Sequence, residues 1–391
     1  MHAPRRLRRG PLVLTGLAAV VLAASTGLTT AAATGLAPAA RPQQADPLQQ
    51  EVDAIRDTGA VGVSAEVTSP DADGTARAGT AESGTQRPMP RDGRFRIGSA
   101  TKTFTATVVL QLVEEGRLSL EDTVEQWLPG VVEGNGNDGR NISVRQLLQH
   151  TSGIPDIKPD IPSLNSTKGY RAERFRTYTP EELVGLAMRH DRPFPPGRGW
   201  SYSNTNYVLA AMIIEKATGE KWADEVKDRI IRPLGLKHTS APDAFPFIQG
   251  PHARGYSAFG AGTGPGIDVT ALNPSMAVGS GSIISTTHDL NSFYAALLGG
   301  RLLDPARLDE MTTTMTAPEL GVAYGLGIAE IELPCGGTYF GHVGELLGYR
   351  MWSGVTRDGS RTAVVYATGE GSKGTGEAMS TLVGQELCRS R

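Results

Sequence analysis

Ser99 and Lys102 stand three residues apart in the run Ile97-Gly98-Ser99-Ala100-Thr101-Lys102, where a strand-like pattern gives way to a helical one. Residues three apart share a helix face, so the lysine amine can approach the serine hydroxyl. The helix start adds a backbone N–H and the positive end of its dipole near developing negative charge. Such a pair suits a nucleophile with a base beside it, provided that burial or a cationic neighbour leaves the lysine partly neutral. The same four letters also describe a capping serine followed by a solvated lysine, so the chemistry rests on what accompanies them.

Two further clusters do. Tyr202-Ser203-Asn204 follows a Pro/Gly-rich loop (Phe194 to Trp200) and precedes a strong helix, the kind of loop end that points side chains into a cleft. The Tyr202 phenol is a second acid–base group. His342-Val343-Gly344 comes just before the last hairpin, where Gly344 would let a backbone edge approach a bound substrate. Taken singly, Tyr202 reads as a packing aromatic, Asn204 as a helix cap and His342 as a surface strand residue.

The elements that must hold these groups follow from periodicity and punctuation. Strand patterns occur at Val61 to Val67, Phe95 to Gly98, Gly325 to Leu333, Tyr349 to Val355 and Thr362 to Thr368, with turns at Asp71 to Gly74 and Asp358-Gly359. Helical spacing predicts helices over Ser99 to Glu115, Asn206 to Thr218, Lys221 to Arg232 (stopped by Pro233), His288 to Leu298 and about Gly374 to Cys388. Ser143 with Gln146, and Thr179 with Pro180 and Glu182 before a helix to His190, are capping-box patterns. Strands at both ends with helices between imply an α+β fold: an antiparallel sheet assembled from distant segments and flanked by the first and last helices. The expected organisation is one catalytic domain over 41–391. Its α/β part covers about 50–120 and 275–391, and an inserted, mainly helical subdomain covers about 121–274.

The chain has 391 residues, 39% hydrophobic and 20% charged, with 48 Gly, 25 Pro and 2 Cys, which excludes disorder, collagen and a disulfide scaffold. A net charge of -3 and the lack of zinc-type Cys/His spacing give no footprint for nucleic acid or metal, so the expected partner is a small molecule or peptide. Arg5, Arg6, Arg8 and Arg9 precede an apolar run from Pro11 to Leu28 and small-residue sites at Ala31 to Ala33 and Ala37 to Ala40. This reads as a secretory signal over 1–40, cleaved at about 33–40, whose loss takes the charge from -3 to about -7. A spanning anchor is the alternative, but Gly16, Gly27 and the Ala-rich stretch favour cleavage and a secreted or periplasmic protein without a stable membrane anchor. In an oxidising compartment Cys335 and Cys388, the only pair, would clamp the last helix and close a long loop, worth about 4 kcal/mol on the chain-entropy relation.

In this order and at these separations, the three clusters resemble the signature elements of the penicillin-recognising serine hydrolases, whose first element is Ser-x-x-Lys. The resemblance covers most of the chain after the leader. It includes 97 to 124, ISVRQLLQHTSGI (142 to 154), 196 to 219, AYGLG (323 to 327) and YFGHVGELLGY (339 to 349). It is nearest to secreted D-alanyl-D-alanine carboxypeptidases of the group that includes class C β-lactamases and related esterases, and the late Cys pair looks like that family's disulfide. It implies the β-lactamase/transpeptidase-like fold and an acyl-enzyme on Ser99. Lys102 and Tyr202 would handle the proton, and Asn204 would bind the substrate amide and hold Lys102. The backbone N–H groups of Ser99 and Glu345 would form an oxyanion hole, with His342, Val343 and Gly344 lining the opposite wall. It implies no cofactor, and a monomer is expected.

The third cluster departs from the family pattern. Its usual hydroxyl position is Val343, the neighbouring strand carries Glu330 and Glu332 where the carboxypeptidases have an arginine, and Glu345 follows the glycine. All three point away from binding a substrate's terminal carboxylate, unless Arg350 or an arginine of the helical insert substitutes. The expected function is therefore a serine hydrolase of the D-alanyl-D-alanine carboxypeptidase type acting on peptidoglycan peptides. An esterase or D-amino-acid amidase or peptidase comes next, then a β-lactamase, and last a non-catalytic wall-binding or penicillin-sensing protein.

Overall fold

The first and last long strands pair with each other. In the computed structural model, which describes residues 46–70, 73–260, 264 and 266–389, strand β1 (Gly62–Thr68) pairs antiparallel with the last strand, β9 (Thr362–Thr368), from Gly62 opposite Thr368 to Thr68 opposite Thr362. Every residue of β9 is buried, as expected of a strand covered on both faces. Ala363, Val365 and Ala367 pack with helices α1 (Pro47–Asp57) and α5 (Gly374–Cys388). Val364 and Tyr366, on the other face by the period of two, join the core of α2 (Thr101–Glu114) and α4 (Thr287–Leu298).

The remaining strands of this sheet are β2 (Gly74–Gly79), β3 (Met315–Ala317), β4 (Val322–Tyr324), β5 (Ala329–Glu332), β6 (Thr338–Gly341), β7 (Val343–Leu346) and β8 (Tyr349–Thr356). Among the described residues the order is β2-β1-β9-β8-β6-β5-β4-β3, all antiparallel, and β7 is a short extra strand on β8. The α+β architecture is thus the one expected. The expected leader at 1–40 and residues 71 and 72 of the expected turn lie outside the described residues. No helix among the described residues is long and apolar enough to cross a membrane.

Several boundaries differ from the sequence pattern. The single strand expected over Gly325 to Leu333 is instead β4 and β5 around a turn, because Gly327 adopts φ +76° and packs on α2, where a Cβ would lie 2.9 Å from the Lys102 carbonyl oxygen. Phe95–Arg96 pairs with Ile284–Ser285 outside the main sheet, and Gly98 (φ +50°) turns the chain out of that strand. A 3-10 turn, Gly98–Ala100, then precedes α2, so Ser99 sits ahead of the α-helix and not in it. Helix α3 (Asn204–Thr218) begins two residues early and ends at left-handed Gly219. Pro233 does not stop its helix: a π-turn over Lys227–Ile231 widens the backbone before it, and the chain leaves the helix at Gly235. Both expected capping boxes form, at Ser143 with Gln146 and at Thr179 with Glu182.

Between α2 and α4 the chain is mainly short helices, with two small ribbons at Glu133–Asp138 and Tyr256–Asp268. A disulfide joins Cys335, in the turn between β5 and β6, to Cys388 at the end of α5.

Candidate active site

Gly98 and Gly344 set the spacing of the site. A Cβ on Gly98 would lie 2.6 Å from the backbone of Glu345, and one on Gly344 would lie 1.9 Å from the Ile97 carbonyl oxygen. Both clashes are with backbone, so only glycine lets β7 lie against the turn that carries Ser99. Gly344 therefore serves this contact, with its neighbours Val343 and Glu345 in the cleft wall.

Lys102, the second residue of α2, is fully buried. Its Nζ lies 3.2 Å from Ser99 Oγ, 2.8 Å from Asn204 Oδ1 and 2.9 Å from the Ser280 carbonyl oxygen. Burial lowers its pKa to about 7, aided by Lys158 and opposed by Asp156. Two of its N–H bonds have carbonyl oxygens as partners, so a neutral Lys102 turns its lone pair to the Ser99 hydroxyl. The Tyr202 ring lies 4.7 Å from Nζ, and Tyr202 lines the same cleft as Ser99. Burial pushes that phenol well above its usual pKa, so it stays protonated while Lys102 titrates near neutrality. Between the two, Lys102 is the group able to take a proton and Tyr202 the group able to give one.

Sequence reasoning missed the groups that hold this set in place. Asp156 accepts from the Asn204 backbone N–H (2.9 Å) and from Nδ2 (3.1 Å), which turns the amide oxygen toward Lys102. His150, at φ +64°, accepts from the Ser203 N–H at 3.2 Å and stacks its ring 4.3 Å from that of Tyr202. Burial, then Lys102, keeps His150 well below its ordinary pKa. The Glu319 carboxylate accepts from the Tyr202 backbone N–H at 3.2 Å. A histidine just past a helix end, followed by Thr-Ser-Gly, was the one signal the sequence held; nothing local marked Asp156, Ser280 or Glu319.

His342 is buried, not a surface strand residue. Its Nδ1 lies 2.6 Å from the Val343 carbonyl oxygen, which can only accept, so Nδ1 carries the proton and Nε2 accepts from the Tyr324 hydroxyl at 2.9 Å. Burial, with Lys102 adding to it, lowers its pKa to about 3. At neutral pH His342 is an uncharged ring with both nitrogens engaged. Arg350, a candidate substitute for the missing arginine, pairs with Glu345 across the β7–β8 register at 2.6 Å. That pair also neutralises the Glu345 carboxylate, whose charge the sequence reading left unpaired.

These groups open on a cleft of about 830 Å³ that holds Ser99, Tyr202 and Asn204 in its wall. Ile157, Ile161, Leu164 and Phe259 line one half; Val322, Ala329, Val343 and Trp352 line the other. No cluster of metal-ligating side chains occurs among the described residues. The arrangement can form an ester on Ser99 and supply both proton transfers that breaking an acyl–nitrogen or acyl–oxygen bond needs.

Comparison with known proteins agrees with this arrangement. The family model described as Beta-lactamase matches residues 41–387. A D-stereospecific amidohydrolase from Streptomyces sp. is similar in structure at 43% identity and a TM-score of 0.79, over 85% of this chain and 97% of that one. The D-amino acid amidase from Ochrobactrum anthropi SV3, solved with D-phenylalanine, gives 32% identity and a TM-score of 0.77 over 88% and 98%. Among curated relatives, penicillin-binding protein 4* of Bacillus subtilis (strain 168) is 36% identical over 166 residues, 41% of this chain and 33% of that protein. The putative penicillin-binding protein PbpX of the same strain is 28% identical over 275 residues, 70% of this chain. The matches span from about a third to three fifths of the length of these two relatives (33% and 61%).

Proposed function

The chain belongs to the beta-lactamase family and has its serine hydrolase fold, and on that premise we propose that it is an amidohydrolase cleaving amides or short peptides of D-amino acids through an acyl-enzyme on Ser99. The observation that carries this reading is the spent third cluster: His342 has no free N–H and no charge, and Val343 has no hydroxyl. A terminal carboxylate entering here would lose its water without gaining a donor, whereas a neutral amide pays no such penalty. Preference for D-amino acids is supported by likeness to the D-stereospecific amidohydrolase and the D-amino acid amidase.

The reaction follows from the proton inventory. Ser99 Oγ forms a bond to the substrate carbonyl carbon as its proton passes to neutral Lys102, and the backbone N–H groups of Ser99 and Glu345 receive the oxyanion. One such donor is typically worth about 3 to 4 kcal/mol. Collapse breaks the carbon–nitrogen bond, Tyr202 protonates the departing nitrogen, and Lys102 returns a proton to Tyr202. Asn204, aimed by Asp156, holds Lys102 and the substrate's acyl side. Water then attacks the ester and regenerates Ser99. The half of the cleft lined by Ile157, Ile161, Leu164 and Phe259 favours a bulky apolar acyl side chain.

A carboxypeptidase reading draws support from the matched penicillin-binding proteins but lacks a partner for the carboxylate. Comparing kcat/KM for D-phenylalaninamide, L-phenylalaninamide and an acyl peptide ending in D-Ala-D-Ala tests the choice. The D-amide is expected to be fastest; faster turnover of the D-Ala-D-Ala peptide would reverse it. Export with cleavage at about residues 33–40 is part of the proposal, and N-terminal sequencing of protein from culture medium checks it.

A further inference from the structure

Tyr202 protonates the departing nitrogen in the reaction above, so the leaving group occupies the half of the cleft on Tyr202's side. That half is built by the Val343 end of β7 and by β4, β5 and β8. Val343 lies opposite Trp352 in the strand register, and Val322, Ala329, Ile331 and Leu320 complete an apolar wall. The cations that line the cleft, Lys158 and Arg350, are elsewhere: Arg350 pairs with Glu345 at the other end of β7, and Lys158 adjoins Ile157 on the acyl side. One carboxylate stands in the leaving-group half, on the turn between β3 and β4. It is Glu319, exposed, with its Oε2 accepting the Tyr202 N–H at 3.2 Å. No cation within ion-pair distance of it occurs among the described residues.

The other three carboxylates lining the cleft are committed. Asp156 holds Asn204, Glu345 pairs with Arg350, and Glu370 accepts from the Ser257 hydroxyl and the Phe259 N–H. We propose that Glu319 is the specificity-determining residue of the leaving-group subsite. Its uncompensated charge rejects leaving groups that bear a carboxylate and favours neutral amines, and more so amines carrying a second, positive nitrogen. Glu319 is exposed, so its charge acts on an anionic group through partly screened surroundings, and the selection is a salt-sensitive field effect that needs no direct contact. The proposal rests on the amidohydrolase reading and deepens it by naming the class of amine released.

Three substrates with one acyl group separate the two claims: D-Phe-Gly, D-Phe-Gly amide and the 2-aminoethyl amide of D-phenylalanine. In the mature enzyme kcat/KM is expected to rise in that order. Glu319→Gln keeps an oxygen to accept the Tyr202 N–H but removes the charge, so the ratio between the cationic and anionic substrates should fall about tenfold. Glu319→Lys should reverse the order. Raising the salt concentration should shrink the ratio in the wild type and leave it unchanged in Glu319→Gln. A purely structural role would lower all three rates in proportion and leave the ratios fixed, which would overturn the proposal. Failure of the wild type to hydrolyse any of the three, D-Phe-Gly amide included, would instead bring down the amidohydrolase reading itself.

Discussion

At the scale of single residues, function turns on which group is neutral at working pH. Lys102 is lowered to about 7 by burial, and Tyr202 is raised by burial, so the serine proton goes to the amine. The active form is the deprotonated one. With a substrate that does not itself titrate, kcat/KM should therefore fall about tenfold per pH unit below 7 and level off above it. Lys102→Arg, which keeps the charge but cannot release the proton, should abolish turnover. Undiminished activity at pH 5 would remove Lys102 from the role of base. Ser99, Lys102, Tyr202 and Asn204 were legible because each pair is a local motif, and the order and separation of the motifs resemble those of a known family. Asp156 and the Ser280 carbonyl were not, because they meet Asn204 and Lys102 only through the fold, 48 and 178 residues away in sequence. Sequence spacing also showed the unusual third cluster, but not that Tyr324 and the Val343 carbonyl use up His342.

At the scale of elements, the site depends on β7 lying against the Gly98–Ser99 turn. Gly344→Ala would set a methyl 1.9 Å from the Ile97 carbonyl oxygen. Backbone on both sides cannot yield as a flexible side chain can, so the strand must move. The Glu345 N–H moves with it, and kcat should drop by about 10² to 10³, the usual cost of losing one oxyanion donor. The Lys102 titration would stay where it is, and this distinguishes a shifted strand from a disturbed base. The same element shows what periodicity leaves out. Four-residue strands such as β6 and β7, joined at His342, carry too few alternations to stand apart from loop. The β4–β5 break depends on Gly327 meeting α2, a contact no local pattern contains. Longer elements were readable: β9 because a strand buried on both faces is mostly apolar, and α5 because its buried residues recur at helical spacing.

At the scale of the whole molecule, the first and last long strands pair side by side in one sheet, and the cleft lies where other elements of that sheet meet the inserted segment. The disulfide fixes the end of α5 to the β5–β6 turn across a separation of 53 residues. Replacing Cys335 and Cys388 together by serine should lower the unfolding free energy by about 2 to 4 kcal/mol, read as a lower denaturant midpoint. The composition and the order of strands and helices had already indicated this α+β layout, since a sheet built from both chain ends must enclose what lies between them. The proposed preference for the leaving amine was not readable, because it depends on the β3–β4 turn bringing Glu319 to Tyr202 across 117 residues of sequence. The claim on which all else rests is covalent catalysis by Ser99. Mixing the protein with a D-phenylalanine ester, quenching in acid within the first turnovers and mapping the product by mass spectrometry addresses it most directly. The account predicts one phenylalanyl group on the peptide that bears Ser99, and neither adduct nor turnover in Ser99→Ala. Full turnover by Ser99→Ala, or an adduct on any other residue, would contradict it.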